Sequence, residues 1–295
     1  MSIRYVHGGV PVVDGASSGR TASSGLTLSG LTTPFCPSGI VASTTRRGVG
    51  ADPYSGLVQC DDRVPVIPTL PDAHPLDDPI RSSLVGAHSR FAEWRGRIAR
   101  YHPEVAGFFG HPEDMTAEDW ADLGALLPVG EQAALRGDGI TPPAGWRVLD
   151  RIGLLQFDGS ALVVEPEPAA QVLTADDVPE MLDLVHRTRP GPFRSRTVEM
   201  GTYLGVRDGS RLVAMAGERM HPDGWTEISA VCTDPEYRGQ GLATRLIRAV
   251  GYGIRERGEM PFLHTSVTNT RAVALYDTLG FVLRRQTTLT IAEVA

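Results

Sequence analysis

Lysine is absent from this 295-residue chain, and all 28 of its basic residues are arginine. A phosphate-binding P-loop, which ends in Gly-Lys-Ser/Thr, is thereby excluded. The arginine bias reads as the base composition of a genome and carries no function. Cysteine is scarce. Cys36, Cys60 and Cys232 have no metal-ligand spacing, so no metal is expected, and an odd, sparse count suits a reducing cytoplasm. No apolar run approaches the ~20 residues of a membrane span, and the N-terminus lacks the charged start and apolar core of a signal peptide. Basic charge is in deficit, with a net charge of −7. That argues against nucleic acid or an anionic membrane surface as the main partner. Asparagine occurs once, at Asn269.

What is present is organised around one stretch. Glu227 to Thr233 is an extended run, mostly apolar or β-branched. Asp234 and Pro235 stop it, because proline supplies no N–H to a ladder. A loop holding Gly239 and Gly241 follows. Leu242, Ala243, Leu246, Ile247, Val250 and Ile254 then recur at helical spacing. Glycines opening a helix let backbone N–H groups and the positive end of the macrodipole approach a phosphate. The dinucleotide fingerprint G-x-G-x-x-G is incomplete, since Thr244 stands at its third glycine.

Arg238-Gly239-Gln240-Gly241-Leu242-Ala243 fits Arg/Gln-x-x-Gly-x-Gly/Ala at every position. Downstream, Asn269-Thr-Arg-Ala272-Val-Ala-Leu-Tyr276-Asp-Thr-Leu-Gly280-Phe281 fits N-x-x-A-x-x-L-Y-x-x-x-G-F. Together these resemble the two signatures of the GNAT superfamily, the acyl-CoA-dependent N-acyltransferases. The resemblance implies a GNAT fold, an α/β (α+β) architecture whose mixed, mostly antiparallel central sheet is flanked by helices. It also implies acetyl-CoA as co-substrate and an amine acceptor, small molecule or protein.

Along the rest of the chain, residues 1–72 are rich in Gly, Ser, Thr and Pro and read as a disordered or low-complexity extension. Residues 76–165 look globular: a helix from Asp78-Pro79, a helix through Phe91, Trp94, Ile98 and Tyr101, and a helix capped by Thr116. Strands are predicted at 146–149, 152–157 and 161–164. This smaller α/β region is compatible with a truncated or degenerate GNAT-like half serving as packing or as an acceptor-side wall. Glu165-Pro-Glu-Pro is a linker, and residues 171–295 form the GNAT domain. Monomer and homodimer both fit.

For the cofactor, the resemblance points to the backbone of Val231, Cys232 and Thr233 and to Arg238, Gly239, Gln240, Gly241, Leu242, Ala243 and Thr244. Asn269 is a cofactor contact, a helix cap, or both. Tyr276 matches the acid that protonates the departing thiolate. Glu227 is the candidate base, with Glu218 as rival; residues 227, 229 and 231 should share a strand face. His264 reads as a satisfied strand residue. Arg187, Arg189, Arg194 and Arg196 suit a carboxylate, a phosphate or plain solvation. A non-catalytic acyl-CoA-binding or regulatory module is the alternative function.

Overall fold

The computed structural model describes residues 74–127 and 130–295. The extension expected over residues 1–72 lies outside the described residues. Asp78 caps α1 (Pro79–Val85), with proline in its first turn. The expected helix through residues 91–101 is instead a hairpin of β1 (Ala92–Arg95) and β2 (Ile98–Tyr101), with Arg95 opposite Ile98. Gly96, at φ +52°, makes the two-residue turn. The apolar residues at 91, 94, 98 and 101 mimic a helical stripe, and the glycine decides against it. β3 (Phe109–Gly110) completes a three-stranded sheet. α2 (Ala117–Leu126) begins with a capping box between Thr116 and Asp119.

The main sheet draws on both parts of the chain. β4 (Ala133–Arg136) and β5 (Trp146–Asp158) come first, then β6 (Gln171–Leu173), α3 (Val178–Thr188), β7 (Tyr203–Asp208), β8 (Arg211–Glu218) and β9 (Trp225–Thr233). The remaining elements are α4 (Leu242–Glu256), β10 (Met260–Ser266), α5 (Thr270–Thr278) and β11 (Val282–Val294). The strand order is β4-β11-β5-β10-β9-β8-β7-β6. The β9–β10 pair is parallel and the other neighbours are antiparallel.

β5 departs from expectation. The two strands predicted over 146–157 are one, and residues 161–164 form none. The long strand sits between β10 and β11, pairing with both. Its Leu155 and Phe157 enter the same apolar cluster as Leu246, Ile247, Val250 and Leu263. The boundary read near residue 165 therefore does not separate two sheets.

α4 and α5 cover one face of the sheet, where Leu246, Ile247 and Ile254 are fully buried. Each such side chain contributes roughly 1.5–3 kcal/mol on leaving water. On the other face α3 buries Met181 and Leu184 against Met215 and Cys232. Beside it Leu76, Ile80 and Tyr101 of the N-terminal part pack on Met220 and Phe262. Among the described residues, no helix is long and apolar enough to cross a membrane.

Candidate functional site

β9 and β10 pair only from Trp225–Met260 to Glu227–Phe262. Beyond that point β9 continues to Thr233 and β10 to Ser266 without pairing, so the strands part. The backbone of β9 on that side has no strand partner among the described residues. Buried backbone polar groups need partners, so a gap of this kind suits an extended ligand. Thr233 adds a buried Oγ1 that has no hydrogen-bond partner among the described residues.

Ala230 has φ +52°, and the pairing register of β8 and β9 slips beside it. This is a bulge, and it breaks the alternation of faces. Val231 packs with Ile228 toward α4, whereas Glu227 points to the opposite face. The face expected to be shared by 227, 229 and 231 therefore does not form.

At the end of the gap, Gly239 and Gly241 have φ +82° and +75°, and a Cβ on either would meet nothing within 4 Å. Gly241 is the N-cap of α4, and the first intrahelical bond runs from Arg245 N to Gly241 O. The N–H groups of Leu242, Ala243 and Thr244 thus have no acceptor within the helix. This exposed cradle of donors fits a pyrophosphate. Arg238 donates from Nε to the Thr233 carbonyl at 3.3 Å, and Gln240 is exposed. The side chain of Leu242 is buried, so only its backbone is available. Beneath the loop Asp234 is nearly sealed, receives Arg211 at 2.7 Å and pairs with Arg187. Burial pushes the Cys232 thiol up to about 11, so it stays protonated.

At the apex of the gap lies a chain of side chains crossing neighbouring strands. Arg219, just past β8, grips Glu227 with Nε and Nη2 at 2.7 and 2.6 Å. His264 Nδ1 is 2.7 Å from Glu227 Oε1, and His264 Nε2 is 3.1 Å from Gln156 Nε2. Arg284 reaches Gln156 Oε1 at 2.8 Å and Asp77 at 2.6 Å. The protons can be placed. Arginine only donates, so the Gln156 oxygen faces Arg284 and its amide donates to His264. His264 must then accept at Nε2 and donate from Nδ1 to Glu227. Glu227 is wholly buried. Burial alone would raise its pKa, but Arg219 and His264 outweigh burial and hold it at about 2. A carboxylate with three donors and so low a pKa is a poor proton acceptor. Glu218 lies on the α4 side, bonded to Thr202 N and Arg257.

Tyr276 sits on α5 between Phe157 and Phe281, at centroid distances of 5.9 and 5.7 Å. Burial pushes its hydroxyl up to about 12, and it senses the charges of Arg219 and Glu227. Asn269 caps α5 by accepting from Ala272 N at 3.3 Å and is exposed. The gap and the loop thus bring together Val231 to Thr233 and Arg238 to Thr244, while Asn269 and Tyr276 belong to the helix that follows β10.

A family model described as FR47-like protein matches residues 203–290. A solved structure from Novosphingobium aromaticivorans, described as an acetyltransferase of the GNAT family, is 40% identical with a TM-score of 0.70. It covers 76% of this chain and 100% of its own. The chain belongs to the GNAT family. Two curated relatives match over shorter stretches. A mycothiol acetyltransferase from Thermomonospora curvata is 31% identical over 49% of this chain and 44% of its own length. The N-alpha-acetyltransferase RimI of Mycobacterium tuberculosis is 35% identical over 27% of this chain and 51% of its own. The chain spans about half the length of these curated relatives.

In this GNAT chain several residues escape a sequence reading. Arg219, Gln156, Arg284 and Asp77 form the apex chain yet are far apart in sequence. Glu227 and the strand that holds His264 were visible in the sequence, but nothing there linked the two side chains. Asp234 looked like a strand terminator, and it is also the anchor of the glycine loop.

Proposed function

We propose that the protein is an N-acetyltransferase that moves an acetyl group from acetyl-CoA to a primary amine within a ternary complex. The observation that carries this reading is the parted β9–β10 pair ending in the open Gly239–Gly241 cradle. The backbone of Val231, Cys232 and Thr233 would hold the pantetheine arm. The N–H groups from Gly239 to Thr244, with Arg238, would hold the pyrophosphate, and Asn269 would add a contact while capping α5. An acyl-CoA supplies the activated thioester. The acceptor nitrogen forms a bond to its carbonyl carbon, the carbon–sulfur bond breaks, Tyr276 gives a proton to the thiolate, and the proton that the acylated nitrogen sheds returns to Tyr276 through water. At about 12 its hydroxyl keeps that proton at neutral pH.

Glu227 is a positioning group in this reading: it orients Arg219, and the acceptor ammonium gives its proton to water. Most of the rate gain then comes from alignment.

The saturation of Glu227 favours one rival, a non-catalytic acyl-CoA-binding module. Calorimetric titration of the full chain with acetyl-CoA, followed by turnover of a panel of amines, separates the two. Binding with turnover that falls in Tyr276→Phe supports the transferase. Binding without turnover on any amine supports the module, and absence of binding sinks both.

A further inference from the structure

A tight crevice, without room for a water molecule in this structure, lies where the N-terminal part meets the loop after α3. Val105, Ala106, Phe108, Pro192 and Met200 give it apolar walls, and two guanidinium groups, Arg194 and Arg219, line it. Glu227 and His264 fix one of them. The Arg219 side chain is only 14% exposed, and its Nε and Nη2 are committed to Glu227. The ring of Phe108 lies 4.9 Å from its guanidinium carbon. Its Nη1 makes no hydrogen bond to a described residue. The group is therefore held rigidly with one donor arm unspent.

Arg194 lies across the crevice. Arg187, in the last turn of α3, pairs with Asp183 and Asp234, and Arg196 with Glu199 and Glu104, while Arg189 is exposed to solvent. The Arg194 guanidinium has no carboxylate partner among the described residues and donates to the backbone carbonyl of Pro103, while its backbone N–H donates to Thr197 Oγ1. Gly107 gives it room, since a Cβ there would fall 2.9 Å from Nη2. With Glu227 cancelling Arg219, the crevice carries a net positive charge between apolar walls. Arginine forks in such a setting match a carboxylate.

We infer that this crevice is the acceptor subsite, and that the acceptor is a small amine carrying a carboxylate next to an apolar body, an amino-acid-like compound. The inference rests on the transferase reading above and names its substrate class. The N-terminal part thereby becomes one wall of the acceptor site, through residues 105–108. As it stands this wall is tied to the other: Arg194 donates to the Pro103 carbonyl, Arg196 N–H to the Glu104 carbonyl and Thr197 Oγ1 to the Val105 carbonyl, so a ligand enters only by taking over some of these bonds.

The test uses product-like probes, so that binding is read without turnover. N-acetyl-leucine and N-acetyl-leucinamide are titrated into the full chain in the presence of CoA. The carboxylate should bind about 10- to 100-fold tighter, the range of one charge-assisted contact. Arg194→Gln should collapse that preference to near unity. Arg194→Lys, which keeps the charge without the fork, should retain part of it. Arg189→Gln removes the same charge from an exposed neighbour and should leave the preference intact. Equal affinity for the two probes, or a preference untouched by Arg194→Gln, overturns the inference. Leucine and leucinamide are then tried as acceptors. Carboxylate-selective binding with no transfer to any amine would spare the subsite and sink the transferase reading. Transfer without carboxylate preference would do the reverse.

Discussion

The proton between His264 Nδ1 and Glu227 Oε1, 2.7 Å apart, belongs to the histidine. Arg284 dictates this through Gln156, because a guanidinium has nothing to accept with. Glu227 is consequently an anchor for Arg219. Glu227→Gln should leave a buried guanidinium without its counter-charge and lower unfolding stability by about 3–5 kcal/mol. Replacing both partners together, Arg219→Leu with Glu227→Leu, should recover most of it. Urea denaturation of the three variants checks this, and a stable, merely inactive Glu227→Gln would point back to a base.

The same pair sets an acid limit. The folded carboxylate lies at about 2, below its ordinary value near 4.5. A depressed acid stabilises the fold fully above the unfolded value and loses that contribution as pH falls through it toward about 2. Stability of the wild type should therefore decline between roughly pH 4.5 and 2, more steeply than in the double-leucine variant. Denaturation midpoints taken across that range would show it.

Tyr276→Phe should cut kcat by roughly 10²–10⁴ while leaving acetyl-CoA affinity within a few-fold. With the hydroxyl at about 12, the wild type should show no alkaline fall in rate from this group below pH 10. Steady-state kinetics across pH, with calorimetry beside them, read both effects.

Gly239→Ala places a methyl in open space, so it should fold. It forces an L-residue to φ +82°, which costs about 1–2 kcal/mol locally, and it obstructs close backbone approach. Acetyl-CoA affinity should drop at least tenfold with the melting temperature lowered by only a few degrees. Equal affinity would make the loop a plain turn.

Residues 171–295 alone should fail to form a stable domain. Without β5, β10 and β11 present open edges, and Leu155 and Phe157 leave the core. Circular dichroism and gel filtration of that fragment, beside residues 74–295, would decide.

The local signals were legible in the sequence. The stripe from Leu242 to Ile254, the cap at Asn269 and the end at Gly280 are written within a few residues of where they act, and each element formed there. Gly280, at φ +89°, sits between Leu279 and Phe281, and Phe281 N–H returns to the Tyr276 carbonyl at 3.0 Å. Non-local facts were not legible. Nothing near Gln156 announces that Asp77, His264 and Arg284 will converge on it. The bulge at Ala230 turns Val231 away from Glu227, and no residue there is one that favours positive φ. The hairpin at 92–101 was misread because its apolar spacing fits a helix as well as a strand pair.

β5 also carries a cost in time. It leaves the ribosome long before the strands that flank it, since β11 ends only at Val294. At ~5–20 residues per second, its apolar residues wait on the order of ten seconds for a place in the sheet. Pairings this distant in sequence form late and slowly. During synthesis the hazard therefore falls on one early strand, which must be kept from pairing with its counterpart on a neighbouring nascent chain.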